Sequence, residues 1–144
     1  MNHQQLKRFN KLDYESFYLL KVEKKDNHFC LSISGSTKNI YNVKIYKNSK
    51  TIYCNCPDSK SWAKDFDVYC KHCCFVLFRI FKTVFINKEK IFEEKVFNDE
   101  QFIIINEKLS NMASVGLVNY SGTDIVDEEL LIKFQNMEKN DFKS

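Results

Sequence analysis

The chain has 144 residues, of which 44% are hydrophobic, and a formal net charge of +3. That length suits one compact domain with appendages, and thirteen Phe with seven Tyr make its core aromatic. The apolar runs are too short to span a bilayer, the first eight residues hold no apolar stretch of a signal peptide, and so mild a charge is no strong nucleic-acid footprint.

Residues 3–11 form a short predicted helix with Leu6 and Phe9 inward. Lys7, Arg8 and Lys11 make a small basic cluster on it, read first as a solvated face and second as a phosphate site. Strands follow. Residues 17–23 are apolar and then alternate, Asp26-Asn27 is turn chemistry, and residues 28–34 alternate strictly with Phe29, Leu31 and Ile33 on one face. Gly35-Ser36 breaks the run. Residues 40–46 alternate again, residues 47–50 turn, and Thr51 to Cys54 returns. Four strands at short spacing predict an antiparallel meander whose apolar face needs a cover. Cys30 falls opposite that face and reads as an unliganded thiol.

The next stretch carries the chemistry. Cys54-Asn55-Cys56 is followed, after residues 57–69, by Cys70-Lys71-His72. Two ligand-type residues two apart, a short loop, and two more two apart is a metal-site spacing. Alternate residues of a strand point the same way, so Cys54 and Cys56 can face one ion as the strand runs out at Pro57. Residues i and i+2 of a helix do not face each other, so Cys70 belongs just before a helix and His72 in its first turn. Zinc takes four such ligands, and four protein ligands make a closed structural site rather than a catalytic one with an open position. The expectation is one structural Zn2+ on Cys54, Cys56, Cys70 and His72. A rival set keeps the metal and puts Cys73 in place of His72. A blander reading leaves all of these as buried thiols and a surface histidine.

Cys-x-Cys, a gap, and Cys-x-His opening an apolar helix resembles the SWIM-type zinc finger. The likeness covers roughly residues 40–82: the strand 41–46, a turn, Thr51 to Asp58 with its two cysteines, then Cys70-Lys71-His72 and a bulky helix. The resemblance implies a zinc-binding module serving DNA or protein interaction, as found in transposases, chromatin remodelling ATPases, recombination accessory proteins and some ubiquitin ligases. In the ligase kind a hydrophobic helical segment leads on to a RING. Here no Cys or His follows Cys74 in the chain, so a second zinc site of that kind lacks its ligands.

In the loop, Asp58 or Ser59 is a candidate helix cap, and Trp62 and Phe66 share one side of a short turn. Their leading role is packing over the metal; the other is an exposed anchor for a partner. Along the helix 70–82, Cys74, Leu77, Phe78 and Phe81 share a face, with Phe75, Val76 and Ile80 on other sides. A helix apolar nearly all round is buried on more than one side. Cys73 and Cys74 are then core thiols, while Lys71, Arg79 and Lys82 are either solvated charges or phosphate contacts. Asn98 with Gln101 is a capping box opening a helix over 100–109, with Phe102, Ile105 and Leu109 at helical spacing. Residues 110–124 read as a loose connection, and residues 127–139 as a helix with an irregular apolar stripe that frays or folds on a partner.

The expected fold class is α+β: a small antiparallel meander covered by a helix, a zinc site between the last strand and the helix N-terminus, and C-terminal helices. The expected organisation is 1–39 for the N-terminal helix and first strands, 40–82 for the finger, 83–110 for a helical extension and 111–144 for a flexible or partner-dependent segment. No Gly-rich phosphate loop, nucleophile elbow or His-Glu-x-x-His is present, so no enzymatic activity is expected. Six cysteines without a leader point to metal rather than disulfides, hence to the cytoplasm or nucleus. The expected partner is a protein, a nucleic acid held by its phosphate backbone with little sequence preference, or both, and no membrane or small-molecule substrate. Only Arg8 and Arg79 are arginines, and lysines meet phosphate as point charges rather than reading bases. Two further readings stand beside it: a RING-less substrate-recruiting component of a ubiquitin-ligase system, and a DNA-binding accessory protein in recombination or transcription.

Overall fold

A computed structural model describes residues 2–120 apart from 36 and 38. Helix α1 (His3–Asn10) runs into a tight turn at Lys11–Asp13 and leads to the strands β1 (Tyr18–Lys24), β2 (His28–Ser34), β3 (Ile40–Tyr46) and β4 (Thr51–Cys54). Two one-turn helices follow, α2 (Pro57–Lys60) and α3 (Trp62–Asp65), then α4 (Lys71–Phe75). Helices α5 (Lys88–Glu94) and α6 (Asp99–Ser114) and a last strand β5 (Leu117–Tyr120) complete the described chain.

The fold class is α+β, as expected. Strands β1 to β4 form the antiparallel meander, with Phe29 opposite Ile45 and Leu31 opposite both Val22 and Val43. Alternation places Phe29, Leu31, Ile33, Val43 and Ile45 on one face, and all five are fully buried. Leu20 lies on the other face against Tyr18 and Ile40, and a register shift between Leu19 and Lys21 lets Leu19 and Val22, three apart, both join the core.

The cover is α4 and its continuation. After Phe75 the helix widens over Val76–Ile80 into a π turn, closed by Phe81 N–H on Val76 O at 3.0 Å. The sequence predicts a regular helix over 70–82; the wider turn is what the chain adopts. Phe75, Leu77, Ile80 and Phe81 are buried on the sheet with Ile105 and Leu109 of α6. Each such side chain contributes about 2 kcal/mol on leaving water.

Three expectations are corrected. First, α1 does not turn Leu6 and Phe9 inward together. Leu6 is exposed, Phe9 is half-buried against Phe78 and Phe92, and the buried residues of the helix are Gln5 and Arg8. Second, α6 is longer than expected and ends at Ser114, its capping box complete in both directions between Asn98 and Gln101. Third, residues 117–120 are not a loose connection. They form β5 and pair antiparallel with β1, so the sheet order is β4-β3-β2-β1-β5. The expected helix at 127–139 lies outside the described residues. Among the described residues no helix is long and apolar enough to cross a membrane.

Candidate metal centre

The first ligand pair is set by the end of β4. Cys54 is its last residue, opposite Val43. Asn55 prolongs the pairing: its N–H donates to Asn42 O at 3.1 Å, and its Oδ1 accepts from Asn42 N–H at 2.8 Å. The chain leaves the sheet only after that, and Cys56 follows in extended backbone, φ −68° and ψ 160°. Pro57, which needs no N–H partner, opens α2.

The cap of α2 is neither Asp58 nor Ser59. It is the Cys56 sulfur, which accepts from Ser59 N–H at 3.4 Å and lies 3.4 Å from the Ser59 hydroxyl. A candidate ligand sulfur thus serves as N-cap, a position where an acceptor is favoured. Asp58 is engaged elsewhere, accepting from Arg8 Nε at 2.8 Å and Arg8 Nη2 at 2.9 Å. This two-point bond ties α1 to the turn that follows the first ligand pair.

The second pair sits where its spacing puts it. Cys70 is the residue before α4, in extended backbone, and His72 lies in the first turn. Gln5 fixes the approach: its Nε2 donates to Tyr69 O at 3.0 Å and its Oε1 accepts from Tyr69 N–H at 2.8 Å. The same amide reaches the Cys74 sulfur at 3.6 Å.

These elements bring Cys54, Cys56, Cys70 and His72 together. Their ligand atoms all lie within 4.8 Å of one another, and all four residues are buried. His72 Nδ1 stands 3.8 Å from Cys54 Sγ and 3.9 Å from Cys70 Sγ. The quartet is the one expected, with His72 in it and Cys73 outside it. The imidazole is walled by Tyr41 and Phe17, at ring distances of 5.2 and 6.0 Å. Three thiols and an imidazole at one buried point can hold a metal ion.

The protons in the cluster are unevenly shared. Burial alone would lower the His72 pKa, but hydrogen bonds to Cys56 and Cys70 outweigh it and hold the ring up at about 9. Burial would raise Cys70, yet hydrogen bonds from Cys54, Cys56, Cys73 and His72 bring it well below the ordinary thiol range. Cys54 is raised by its bonds to Cys56 and Cys70 and by burial, and Cys73 by its bond to Cys70 and by burial. Cys70 is therefore the acceptor of the cluster, and His72 and Cys54 hold protons that an incoming cation must displace.

The residues around the quartet depart from the sequence reading in two ways. Trp62 and Phe66 do not pack over the site: they are 65% and 41% exposed and stack on each other, ring centroids 6.1 Å apart. Ala63 and Ser59 are the buried residues of those turns. The cations of the covering helix are largely spent inside the molecule. Lys71 binds Glu15 at 2.6 Å, and Arg79 reaches Leu12 O at 3.2 Å and Asp13 at 3.3 Å, leaving Lys82 exposed. Gln5 and Arg8 were not legible as parts of the site. Their one sequence signal is a polar pair three apart on a helix, which ordinarily marks a solvated face. No family model, curated protein or solved structure matches the chain.

Proposed function

We propose that the chain is a SWIM-type zinc-binding interaction module without catalytic activity, serving protein or nucleic-acid binding inside the cell. The observation that carries this reading is the buried quartet on a strand end and a helix start. Tetrahedral Zn2+ with sulfur at about 2.3 Å and nitrogen at about 2.0 Å has ligand–ligand edges of roughly 3.5–3.8 Å. The His72 contacts of 3.8 and 3.9 Å are near that length, so small side-chain shifts close the shell. Three thiolates favour zinc over the hard cations, which take oxygen.

Four protein ligands leave no open position for water or substrate, which supports shape rather than reactivity. Zinc held this way contributes on the order of 10 kcal/mol or more of apparent binding energy in small fingers. That rivals the whole stability of a domain, roughly 5–15 kcal/mol. The ion would thus hold residues 54–72 in the one arrangement that presents α2 and α3 to a partner.

The test is affinity capture from the native source with the wild type and Cys70→Ser, each preparation assayed for metal. The expected result is one zinc per chain and a partner recovered only by the wild type. Equal recovery by a zinc-free Cys70→Ser variant would contradict the reading.

A further inference from the structure

Trp62 is the only tryptophan of the chain, and it is 65% exposed on the turn that the metal quartet brackets. A side chain of that size is usually well buried. Its ring lies nearly parallel to that of Phe66, the planes 19° apart, and the exposed pair makes one aromatic wall of a cleft. Opposite stand Gln4, Lys7, Arg8 and Lys11 of α1 and its following turn, and the two sides enclose a cleft of about 350 Å³. Asp58 also lines it, but its carboxylate is already bonded twice by Arg8. Lys60 and Lys64, exposed on the same two turns, line a neighbouring cavity with Tyr53 and not this cleft. Asp65 is the one exposed acid between Trp62 and Phe66. An exposed aromatic pair with lysines across the cleft matches a ligand that alternates flat rings with anions.

We propose that this cleft binds single-stranded nucleic acid, with a base stacked on the Trp62–Phe66 wall and neighbouring phosphates on Lys7 and Lys11. The inference rests on the interaction-module reading above and names its partner. Every base has a π face, so stacking of this kind tolerates any sequence. The cations are lysines, apart from the ion-paired Arg8, so backbone charge is met without a guanidinium free to read a base edge. Double-stranded nucleic acid keeps its bases stacked inside the helix and offers the wall no ring. An acidic peptide could meet the lysines but has no flat ring at each step.

The single tryptophan reports directly on the cleft. The full chain with zinc is titrated with a mixed-sequence single-stranded DNA oligonucleotide at low salt while Trp fluorescence is followed. The expected result is quenching that saturates, with weak response to the same sequence as a duplex. Trp62→Leu, followed by anisotropy of a labelled oligonucleotide, is expected to weaken binding by roughly fivefold to a hundredfold, and Trp62→Phe to restore most of it. Lys7→Gln with Lys11→Gln is expected to flatten the log–log salt slope by about 1.4, the share of two phosphates on a single strand. Trp62 and Lys7 are exposed, so these variants keep the fold, and zinc content of each preparation checks it. No quenching by the oligonucleotide, equal affinity of Trp62→Leu, or a response to an acidic peptide alone would overturn the proposal. One zinc per chain with no oligonucleotide binding sinks this inference and leaves the metal reading intact. Binding through Trp62 in a chain that takes up no zinc does the reverse.

Discussion

Gln5 grips the backbone of Tyr69 at both of its polar groups, donating to its carbonyl at 3.0 Å and accepting from its N–H at 2.8 Å. One side chain near the start of the chain thereby does the work of a β-ladder partner for the residue just before Cys70. The contact is buried, so water cannot replace it if the amide is removed. Gln5→Ala should destabilise the fold by about 2–4 kcal/mol, two buried groups losing their partners. Gln5→Glu sets a carboxylate oxygen against the Tyr69 carbonyl in a buried site and should cost at least as much as Gln5→Ala. Urea unfolding of the three proteins, zinc-loaded, gives the order.

Arg8 and Asp58 form the second brace. The guanidinium is nearly buried and the carboxylate about a third exposed, 2.8 Å apart. Asp58→Ala strands the cation and should cost about 1–3 kcal/mol. Arg8→Met should cost less, since its stem still packs and the carboxylate reaches water. The two variants compared by denaturant midpoint test the asymmetry.

His72 and Cys73 separate by substitution. Cys73→Ser should keep one zinc per chain, because its sulfur lies outside the quartet. His72→Ala should lose the ion or hold it far more weakly, exposing a position to water. Zinc stoichiometry after dialysis against a weak chelator decides between them.

Metal affinity should fall as pH is lowered from 8 to 6. His72 is held up at about 9 and Cys54 is raised, so both carry protons near neutrality that the cation must displace. Cys70, lowered, is already ionised and adds little. Loss of one to two protons per ion predicts roughly a tenfold to hundredfold change in affinity per pH unit. Stability of the chelated chain should respond far less. The raised His72 contributes stability below its ordinary 6.5 that is lost as pH rises through about 9. The lowered Cys70 gains over the same window, up to the ordinary thiol value of 9.0, and the two oppose each other. Competition titrations across that range, set beside unfolding of the chelated protein, test both halves.

Asn98 caps α6 in both directions with Gln101. Asn98→Ala should cost about 1 kcal/mol and leave zinc binding unchanged, since the helix lies outside the metal loop. Thermal unfolding with metal analysis checks it.

The strands were legible because alternation is a local signal. Residues 28–34, 40–46 and 51–54 each carry their own period and pair as expected. The Cys and His cluster was legible because its spacing is local too. What escaped was set by distant partners. Gln5 and Arg8 read as surface polar residues until α1 is laid against Tyr69 and Asp58, 64 and 50 positions away. Cys56 as a cap was hidden because Asp and Ser are the ordinary capping residues, and Asp58 and Ser59 stand beside it. Trp62 was expected inside because tryptophan usually is; the small Ala63 takes that place instead. The strand β5 has four residues and no alternation to announce it, and only the open edge of β1 gives it a partner.

A single ion held by residues 54, 56, 70 and 72 is what the proposed function requires. X-ray absorption at the zinc edge of the metal-loaded protein measures that shell directly. The predicted spectrum has three sulfurs near ~2.3 Å and one nitrogen near ~2.0 Å, the nitrogen lost in His72→Ala. A shell of oxygen ligands, or four sulfurs unchanged by His72→Ala, would contradict it.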